Sequence, residues 1–128
     1  MVHDGARPLV RASDLRAGMH EVRLGRGAVL ASPVVDTIKL VDPQTHCVKA
    51  TLERNELWGA QTPQFATRVD FERAYDHAAQ LGIEATDDVA LLEAIGIDVV
   101  VVPATSENFK VTHASDVARA EALLGVRT

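Results

Sequence analysis

Residues 97–102, with the sequence IDVVVV, constrain the fold more than any other stretch of this chain. Five of these six residues are β-branched, and the run lies between Gly96 and Pro103. A continuous β-branched run of this length is typical of a strand in a parallel sheet that is covered on both faces. We therefore expect a layered α/β domain in which both faces of this strand are covered.

The rest of the chain alternates between helical and extended patterns. Helices are predicted where apolar residues recur at helical spacing: residues 13–25, 67–82, 86–96 and 115–124. Ser13, Thr67 and Thr86 mark the starts of the first three helices. Further strands are predicted at residues 27–31 and 57–61, and residues 1–3 resemble the end of another. Strands separated by amphipathic helices predict an α/β sheet with right-handed crossovers.

The apolar stripes of two helices predict core residues. In the first helix the stripe consists of Leu15, Met19 and Val22. In the second helix it consists of Phe71, Ala74, Tyr75, Ala78 and Leu81. We expect both stripes to face the sheet, since an amphipathic helix buries its apolar side.

Residues 34–56 differ from this pattern because two weakly alternating segments flank a turn-rich centre, DPQTH. This arrangement predicts a β-hairpin with strands at residues 37–41 and 47–51. A hairpin with so many polar residues is marginal on its own. We expect it to lie against something else, such as another subunit.

Size and charge exclude several classes of partner. The chain has 128 residues, which is one domain or part of one. Its 13 Lys and Arg residues are scattered and its formal net charge is −5, which argues against nucleic-acid binding. The single cysteine, Cys47, fits a reducing compartment, and no apolar run approaches the roughly 20 residues that span a membrane. We therefore expect a cytoplasmic protein that binds neither nucleic acid nor membrane.

Several common catalytic signatures are missing from the sequence. The five histidines are dispersed without an H-x-x-x-H pair, so we expect no metal site made by this chain's residues alone. The sequence contains no G-x-S-x-G nucleophile elbow, so covalent hydrolysis is not indicated. It also contains no Gly-rich phosphate loop of either common type.

Three stretches carry groups suited to an anionic ligand. In residues 3–8, HDGARP, small residues separate Asp4 from Arg7, as suits a loop that a ligand approaches beyond a strand end. Arg54 precedes the only tryptophan, and a guanidinium can grip a phosphate with two parallel hydrogen bonds. Lys110 follows a loop, where its ammonium can neutralise a second phosphate charge. The alternative for each stretch is a solvated turn whose charges merely pair.

Together with two further motifs, these stretches resemble the 2-C-methyl-D-erythritol 4-phosphate cytidylyltransferases of the non-mevalonate isoprenoid pathway. Residues 3–8 resemble the family's H-D-A-A-R-P loop, and residues 36–39 its D-T-I-K. Residues 54–64 resemble its R-x-x-L-W-x-A-Q-T-P-Q. Residues 86–88 resemble T-D-D/E, and residues 108–112 resemble N-I-K-I-T. The five motifs follow the family's order and cover the chain from end to end.

The resemblance implies an enzyme that uses CTP and magnesium. In such a reaction the substrate phosphate attacks the α-phosphorus of CTP and diphosphate leaves, while magnesium shields the triphosphate. The resemblance implies that Asp4, Arg7 and Lys110 are catalytic, with Arg7 and Lys110 holding phosphate charge. It also places Asp4 and Gly5 beside the metal-bound nucleotide.

The resemblance further implies a homodimer with shared sites. Thr37, Arg54, Thr62 and Thr86 match the positions that bind methylerythritol phosphate from the neighbouring subunit. Residues 34–56 then correspond to an arm that embraces the partner.

The fold implied by the resemblance is Rossmann-like, with a mostly parallel sheet and a projecting hairpin arm. The family's first strand and its Gly-rich loop, which cradles the nucleotide triphosphate, have no counterpart in residues 1–128. In the motifs, Gly5 replaces an alanine and Phe109 an isoleucine. Residues 1–128 are therefore expected to be a single, partial nucleotidyltransferase domain, the C-terminal half only. We expect this substrate-binding and dimerisation half to be inactive alone.

Two other functions stay open. Ribitol 5-phosphate cytidylyltransferases share the HD-x-x-RP and Q-T-P-Q elements, although Leu57, Trp58 and Ala60 look more like the methylerythritol branch. A non-catalytic dimerisation remnant is the alternative from a different class of protein.

Overall fold

The computed structural model describes residues 1–127, which form a three-stranded sheet, a separate two-stranded sheet and four α-helices. The elements in chain order are α1 (Ala12–Arg23), β1 (Gly27–Pro33), β2 (Lys39–Val41), β3 (Val48–Thr51), a 3₁₀ turn (Arg54–Glu56), β4 (Trp58–Phe65), α2 (Arg68–Leu81), α3 (Asp88–Ala94), β5 (Val99–Pro103) and α4 (Ala114–Arg127). None of the helices within residues 1–127 is long and apolar enough to cross a membrane.

The main sheet is mixed, with strand order β4-β1-β5. β1 pairs antiparallel with β4 and parallel with β5, so the prediction of a mostly parallel sheet is wrong for the described strands. The reason is the route of the chain: after the hairpin it returns directly beside β1, and only the later passage through α2 and α3 produces a parallel neighbour. On the other side of β4, Val2 forms a single antiparallel bridge with Gln64.

β4 is longer than the predicted strand at residues 57–61 and contains a bulge. Val29 pairs with Gln64 and Ala31 pairs with Ala60, which leaves three β4 residues opposite Leu30. The extra residues include Pro63, which has no N–H to donate to the ladder. A bulge turns side chains away from the regular alternation. Here it directs the polar residues of β4 towards the candidate site described below.

Helices cover both faces of β1. Val29 packs with buried residues of α2 and α3, including Phe71 and Leu92. On the opposite face, Leu30 packs with Phe65 and with the partly buried Leu15 of α1. The alternation of β1 side chains therefore separates two apolar layers, as predicted for an α/β domain.

The predicted apolar stripes are correct only in part. In α2, Phe71, Ala74 and Ala78 are buried, but Tyr75 and Leu81 are exposed. In α1, Met19 is exposed, and the buried position is Gly18, which lies against the Phe65 ring. At Gly18 a side chain would collide with that ring, so the helix approaches the sheet closely there.

β5 does not fit the prediction of a strand covered on both faces. Val102 is buried, whereas Val101 remains 37% exposed. Within residues 1–127, β5 has β1 as its only strand neighbour, so it lies at an edge of the sheet. A run of valines therefore does not by itself distinguish a central strand from an edge strand.

Helix ends follow local rules at some positions and not at others. Thr67 caps α2 by accepting a hydrogen bond from the Asp70 N–H, and Gly82 ends that helix in the left-handed conformation, φ 64°. Ser13 does not cap α1, which begins one residue earlier without a side-chain cap. Asp87, rather than Thr86, caps α3 by accepting from the Ala90 N–H.

The two-stranded sheet is a hairpin formed by β2 and β3, and all residues of both strands are exposed. Asp42 organises its turn: one carboxylate oxygen accepts the N–H groups of Gln44 and Thr45, and the other pairs with Lys49 at 2.8 Å. These contacts, with the Lys49 hydrogen bond the largest cause, lower the pKa of Asp42 to about 2. Leu40 and Val48 expose more than half of their surface. The hairpin therefore has a fixed turn but no apolar cover within residues 1–127.

Candidate active-site cleft

An open cleft of about 400 Å³ lies at one end of the main sheet. Four segments line it: the loop of residues 3–8, the bulge of β4, the start of α3, and the loop that follows β5. The lining includes five residues predicted to be catalytic or substrate-binding: Asp4, Arg7, Thr62, Thr86 and Lys110. Residues far apart in the chain are thus brought together at the place where α/β sheets commonly bind ligands.

The loop of residues 3–8 is fixed to the β4 bulge. The Arg7 N–H donates to the Asp4 carbonyl at 3.0 Å and closes a turn over two small residues. The Asp4 N–H donates to the Thr62 hydroxyl at 2.9 Å. The His3 ring also links the loop to the bulge. Its Nδ1 lies 2.9 Å from the Thr62 hydroxyl, and its Nε2 lies 3.1 Å from the Arg7 carbonyl. A carbonyl can only accept, so Nε2 carries the proton towards Arg7.

Asp4 faces two cations through a single oxygen. Its Oδ2 lies 3.3 Å from the Lys110 ammonium and 3.4 Å from Arg7 Nε. Burial acts to raise the pKa of Asp4, but the hydrogen bonds and charges of Lys110 and Arg7 outweigh it and lower the pKa. Arg7 is only 14% exposed, so its interactions are less screened by water than those of Lys110. Two cations beside one carboxylate leave positive charge for an anionic ligand.

The opposite wall of the cleft is acidic and fixed. Asp87 accepts a hydrogen bond from the Gln64 carboxamide at 3.2 Å in addition to capping α3. Asp88 accepts a hydrogen bond from the Tyr75 hydroxyl on α2. That hydrogen bond and, to a lesser degree, burial raise the pKa of Tyr75 to about 12. Because two carboxylates repel a phosphate, the side of the cleft that carries Arg7 and Lys110, its cationic wall, is the side suited to it.

Three buried carboxamides in or next to the cleft were not predicted from sequence as part of the site. Gln61, Gln64 and Asn108 are 7%, 2% and 1% exposed. Gln64 accepts the Val89 N–H at 2.9 Å, and Asn108 donates to Gln61 at 3.0 Å. A sequence signal existed, because amides occur inside the apolar β4 and beside Lys110. Their burial depends on the bulge, which no local pattern indicates.

The structure does not bring every predicted residue to the cleft. Gly5 lines a separate groove against α4, beside Val117 and Leu124, and does not line the cleft. Arg54 lines a cavity of about 510 Å³ at the base of the hairpin with Val35 and Trp58, and it donates to the Val35 carbonyl at 2.9 Å.

Neither Thr37 nor Arg54 lines the cleft of the same chain. Thr62 does line it, and its hydroxyl already contacts His3 and Asp4, so it shapes the loop whatever ligand it meets.

Comparison with known proteins adds to this geometry. The family model described as 2-C-methyl-D-erythritol 4-phosphate cytidylyltransferase (IspD) matches residues 1–126. The chain belongs to this family. A cytidylyltransferase of that name from Desulforamulus reducens is 42% identical over 124 residues, covering 97% of this chain and 53% of the relative. The "Bifunctional enzyme IspD/IspF" of an Anaeromyxobacter species is 44% identical over 127 residues, covering 97% of this chain and 33% of that protein.

Solved structures of IspD proteins show the same fold. The cytidylyltransferase of Thermus thermophilus superposes with a TM-score of 0.82 and 34% identity, over 95% of this chain and 59% of that one. The 4-diphosphocytidyl-2C-methyl-D-erythritol synthase of Anaerococcus prevotii gives a TM-score of 0.86 and 27% identity, over 96% and 57%. This IspD family chain thus spans about half the length of the single-function curated relatives it matches.

Proposed function

We propose that this chain provides the substrate-binding and dimerisation half of an enzyme that transfers a cytidylyl group from CTP to 2-C-methyl-D-erythritol 4-phosphate. The observation that carries the proposal is the cluster of Asp4, Arg7 and Lys110 in the cleft, within family motifs. We further propose that residues 1–128 correspond to one half of a longer enzyme, because they span 53% of the Desulforamulus reducens relative and contain no Gly-rich phosphate loop.

The proposed chemistry needs charge neutralisation more than covalent help. In this reaction a phosphate oxygen of methylerythritol phosphate attacks the α-phosphorus of CTP, the bond from that phosphorus to the bridging oxygen of diphosphate breaks, and diphosphate leaves. Arg7 and Lys110 hold phosphate charge as it builds up, which is the largest contribution in many such enzymes. Asp4 keeps the two cations oriented before the substrate arrives.

Magnesium fits this cleft as a partner of the nucleotide rather than of the chain. No group of three or more His, Cys, Asp or Glu within residues 1–127 could hold a metal ion. Magnesium is usually bound by one or two carboxylates together with substrate phosphates. Among the three carboxylates that line the cleft, Asp4 is the one proposed to approach such an ion, and the ion would reduce the negative charge of the triphosphate.

The partner subunit completes the proposed site. Thr37 and Arg54 lie at the hairpin, away from the cleft of their own chain. The exposed hairpin supports the proposal that residues 34–56 are a homodimerisation arm that delivers these groups to the neighbouring cleft. Thr62 and Thr86 differ from the expectation that they act from the neighbouring subunit, because they line the cleft of their own chain, and they are proposed to contact the methylerythritol phosphate there.

Substrate choice in a full-length enzyme tests the proposal. The chain can be joined to the part of the Desulforamulus reducens relative that it does not match, and diphosphate release can be measured with CTP, magnesium and either sugar-alcohol phosphate. We expect turnover with methylerythritol phosphate and far less with ribitol 5-phosphate. A preference for ribitol 5-phosphate would assign the chain to the other activity, and no turnover with either would favour a dimerisation remnant.

A further inference from the structure

Two buried carboxamides form a continuous path from the sheet to the cationic wall of the cleft. The Gln61 Nε2 donates to the Ser32 hydroxyl and to the Thr105 carbonyl, both at 3.3 Å. Its oxygen accepts from Asn108 Nδ2, which also donates to the Thr62 carbonyl at 2.9 Å. The path therefore joins β1, the β4 bulge and the loop after β5.

The hydrogen bonds along this path allow only one orientation of each amide group. If the Asn108 amide were turned over, its oxygen would face the Gln61 oxygen and the Thr62 carbonyl, and three acceptors would meet without a proton. If the Gln61 amide were turned over, its oxygen would face the Thr105 carbonyl. Each amide thus fixes the orientation of the other.

Asn108 connects this path to both cations. Its backbone carbonyl accepts a hydrogen bond from Arg7 Nη1 at 2.7 Å. Lys110 follows two residues later, and the Val111 N–H donates to the Ala6 carbonyl at 2.8 Å. The backbone of Lys110 is therefore held between two anchors, one on β4 and one on the loop of residues 3–8.

Packing alone does not account for an amide at this position. Asn108 is 1% exposed, and its Oδ1 is buried with no hydrogen-bond partner among the described residues. A buried acceptor without a partner is destabilising, and an apolar side chain of similar size would avoid that loss. The benefit of the amide lies in its two directed donor contacts.

The geometry points to Asn108 as a positioning residue that holds Arg7 and Lys110 against Asp4, in the arrangement that binds a phosphate group. The nature of the ligand rests on the proposed function, whereas the positioning role rests on the contacts just described. Asn108 touches no ligand in this account and acts only through the two cations.

The rate at which the Arg7 guanidinium exchanges its protons with water measures this role directly. In the enzyme completed with the unmatched part of the Desulforamulus reducens relative, proton exchange at Arg7 Nε can be followed by NMR in the natural sequence, in Asn108→Leu and in Gln80→Leu, a control on the exposed surface of α2. We expect Asn108→Leu to speed exchange at Arg7 by about tenfold, because the side-chain hydrogen bonds to Gln61 and Thr62 are lost and the backbone carbonyl that accepts from Arg7 Nη1 is no longer held in place. Exchange at the exposed Arg68 should stay unchanged in all three proteins.

Binding of inorganic phosphate separates this inference from the proposed function. Weaker phosphate binding by Asn108→Leu, together with faster Arg7 exchange, supports both. Faster Arg7 exchange in a chain whose natural form does not bind phosphate supports the positioning role and contradicts the phosphate site. Unchanged Arg7 exchange in a folded Asn108→Leu chain overturns the inference. If that variant does not fold, Gln61→Met removes one of the two side-chain contacts of Asn108 and should speed Arg7 exchange by a smaller factor, and unchanged exchange there overturns the inference.

Discussion

Two arginines of this chain serve different surfaces, and their surroundings show the difference. Arg7 is nearly buried and donates to Asp4 and to the Asn108 carbonyl. Arg54 lies at the hairpin base, where its one described partner is the Val35 carbonyl beside an open cavity. A guanidinium held by one carbonyl retains donors for a ligand. This is why we assign Arg54 to substrate binding across the proposed dimer.

Replacing Arg54 by lysine tests this assignment at the scale of one residue. In the enzyme completed with the unmatched part of the Desulforamulus reducens relative, Arg54→Lys should lower kcat/KM for methylerythritol phosphate by about tenfold, because a two-pronged contact becomes a point charge. The matched control is Arg68→Lys on the exposed surface of α2. Equal kcat/KM values for the natural protein and Arg54→Lys would show that Arg54 is an ordinary solvated surface residue that does not bind the substrate.

At the scale of elements, the hairpin depends on its turn. The depressed pKa of Asp42 means that the folded turn favours the carboxylate, with Lys49 the main cause. The corresponding stabilisation is present above the ordinary pKa of about 3.8 and is lost as the pH falls through about 2. The effect belongs to the hairpin, because both partners of the ion pair lie in it.

We therefore expect acid to destabilise the hairpin by protonating Asp42 and breaking its ion pair with Lys49. Asp42→Asn removes the same ion pair, so its hairpin should be destabilised already at neutral pH. Amide hydrogen exchange of residues 39–51 measures this directly. In Asp42→Asn these amides should exchange faster at pH 7, while those of β1 stay protected. Equal hairpin exchange in Asp42→Asn and the natural chain would show that the turn does not need the carboxylate.

Elements governed by local chemistry were predictable from the sequence. The helix from Thr67 to Gly82 follows from a side-chain cap, an apolar repeat and a glycine with positive φ, all within one segment. The loop of residues 3–8, with the groups proposed to bind phosphate, was singled out through family motifs. The direction of β4 was not predictable, because strand pairing is decided between segments distant in the chain.

The bulge in β4 also explains what sequence analysis missed in the site. Only after three residues are displaced opposite Leu30 do Gln61 and Thr62 line the cleft. Gln61 and Asn108 are polar residues, and a periodic pattern assigns polar residues to the surface. Their burial follows from mutual hydrogen bonds that exist only in the folded chain.

At the scale of the whole molecule, apolar surface remains uncovered. Leu40, Val48 and Val35 on or beside the hairpin are 52%, 60% and 79% exposed. β5 and the Val2 side of β4 are further places where the described sheet ends. Exposed strand edges and apolar patches promote association with another chain.

We predict that the isolated 128-residue chain is marginally stable and forms dimers or larger species at micromolar concentration. Sedimentation velocity and light scattering measure this, and hydrogen exchange should show that a partner protects Ile38, Leu40 and Val48. Leu40→Lys, on the hairpin, should shift the population towards monomer, whereas Val69→Lys on exposed α2 should not. A well-folded monomer with a sharp thermal transition would contradict the proposed arm.

The central claim is that Arg7 and Lys110, held by Asp4, bind phosphate charge during cytidylyl transfer. Diphosphate release by the completed enzyme, with CTP, magnesium and methylerythritol phosphate, tests it in Arg7→Ala, Lys110→Ala and the exposed control Arg68→Ala. We predict that each of the first two lowers kcat by about 10²-fold or more and that the control keeps full activity. Full activity of folded Arg7→Ala and Lys110→Ala enzymes would contradict the claim.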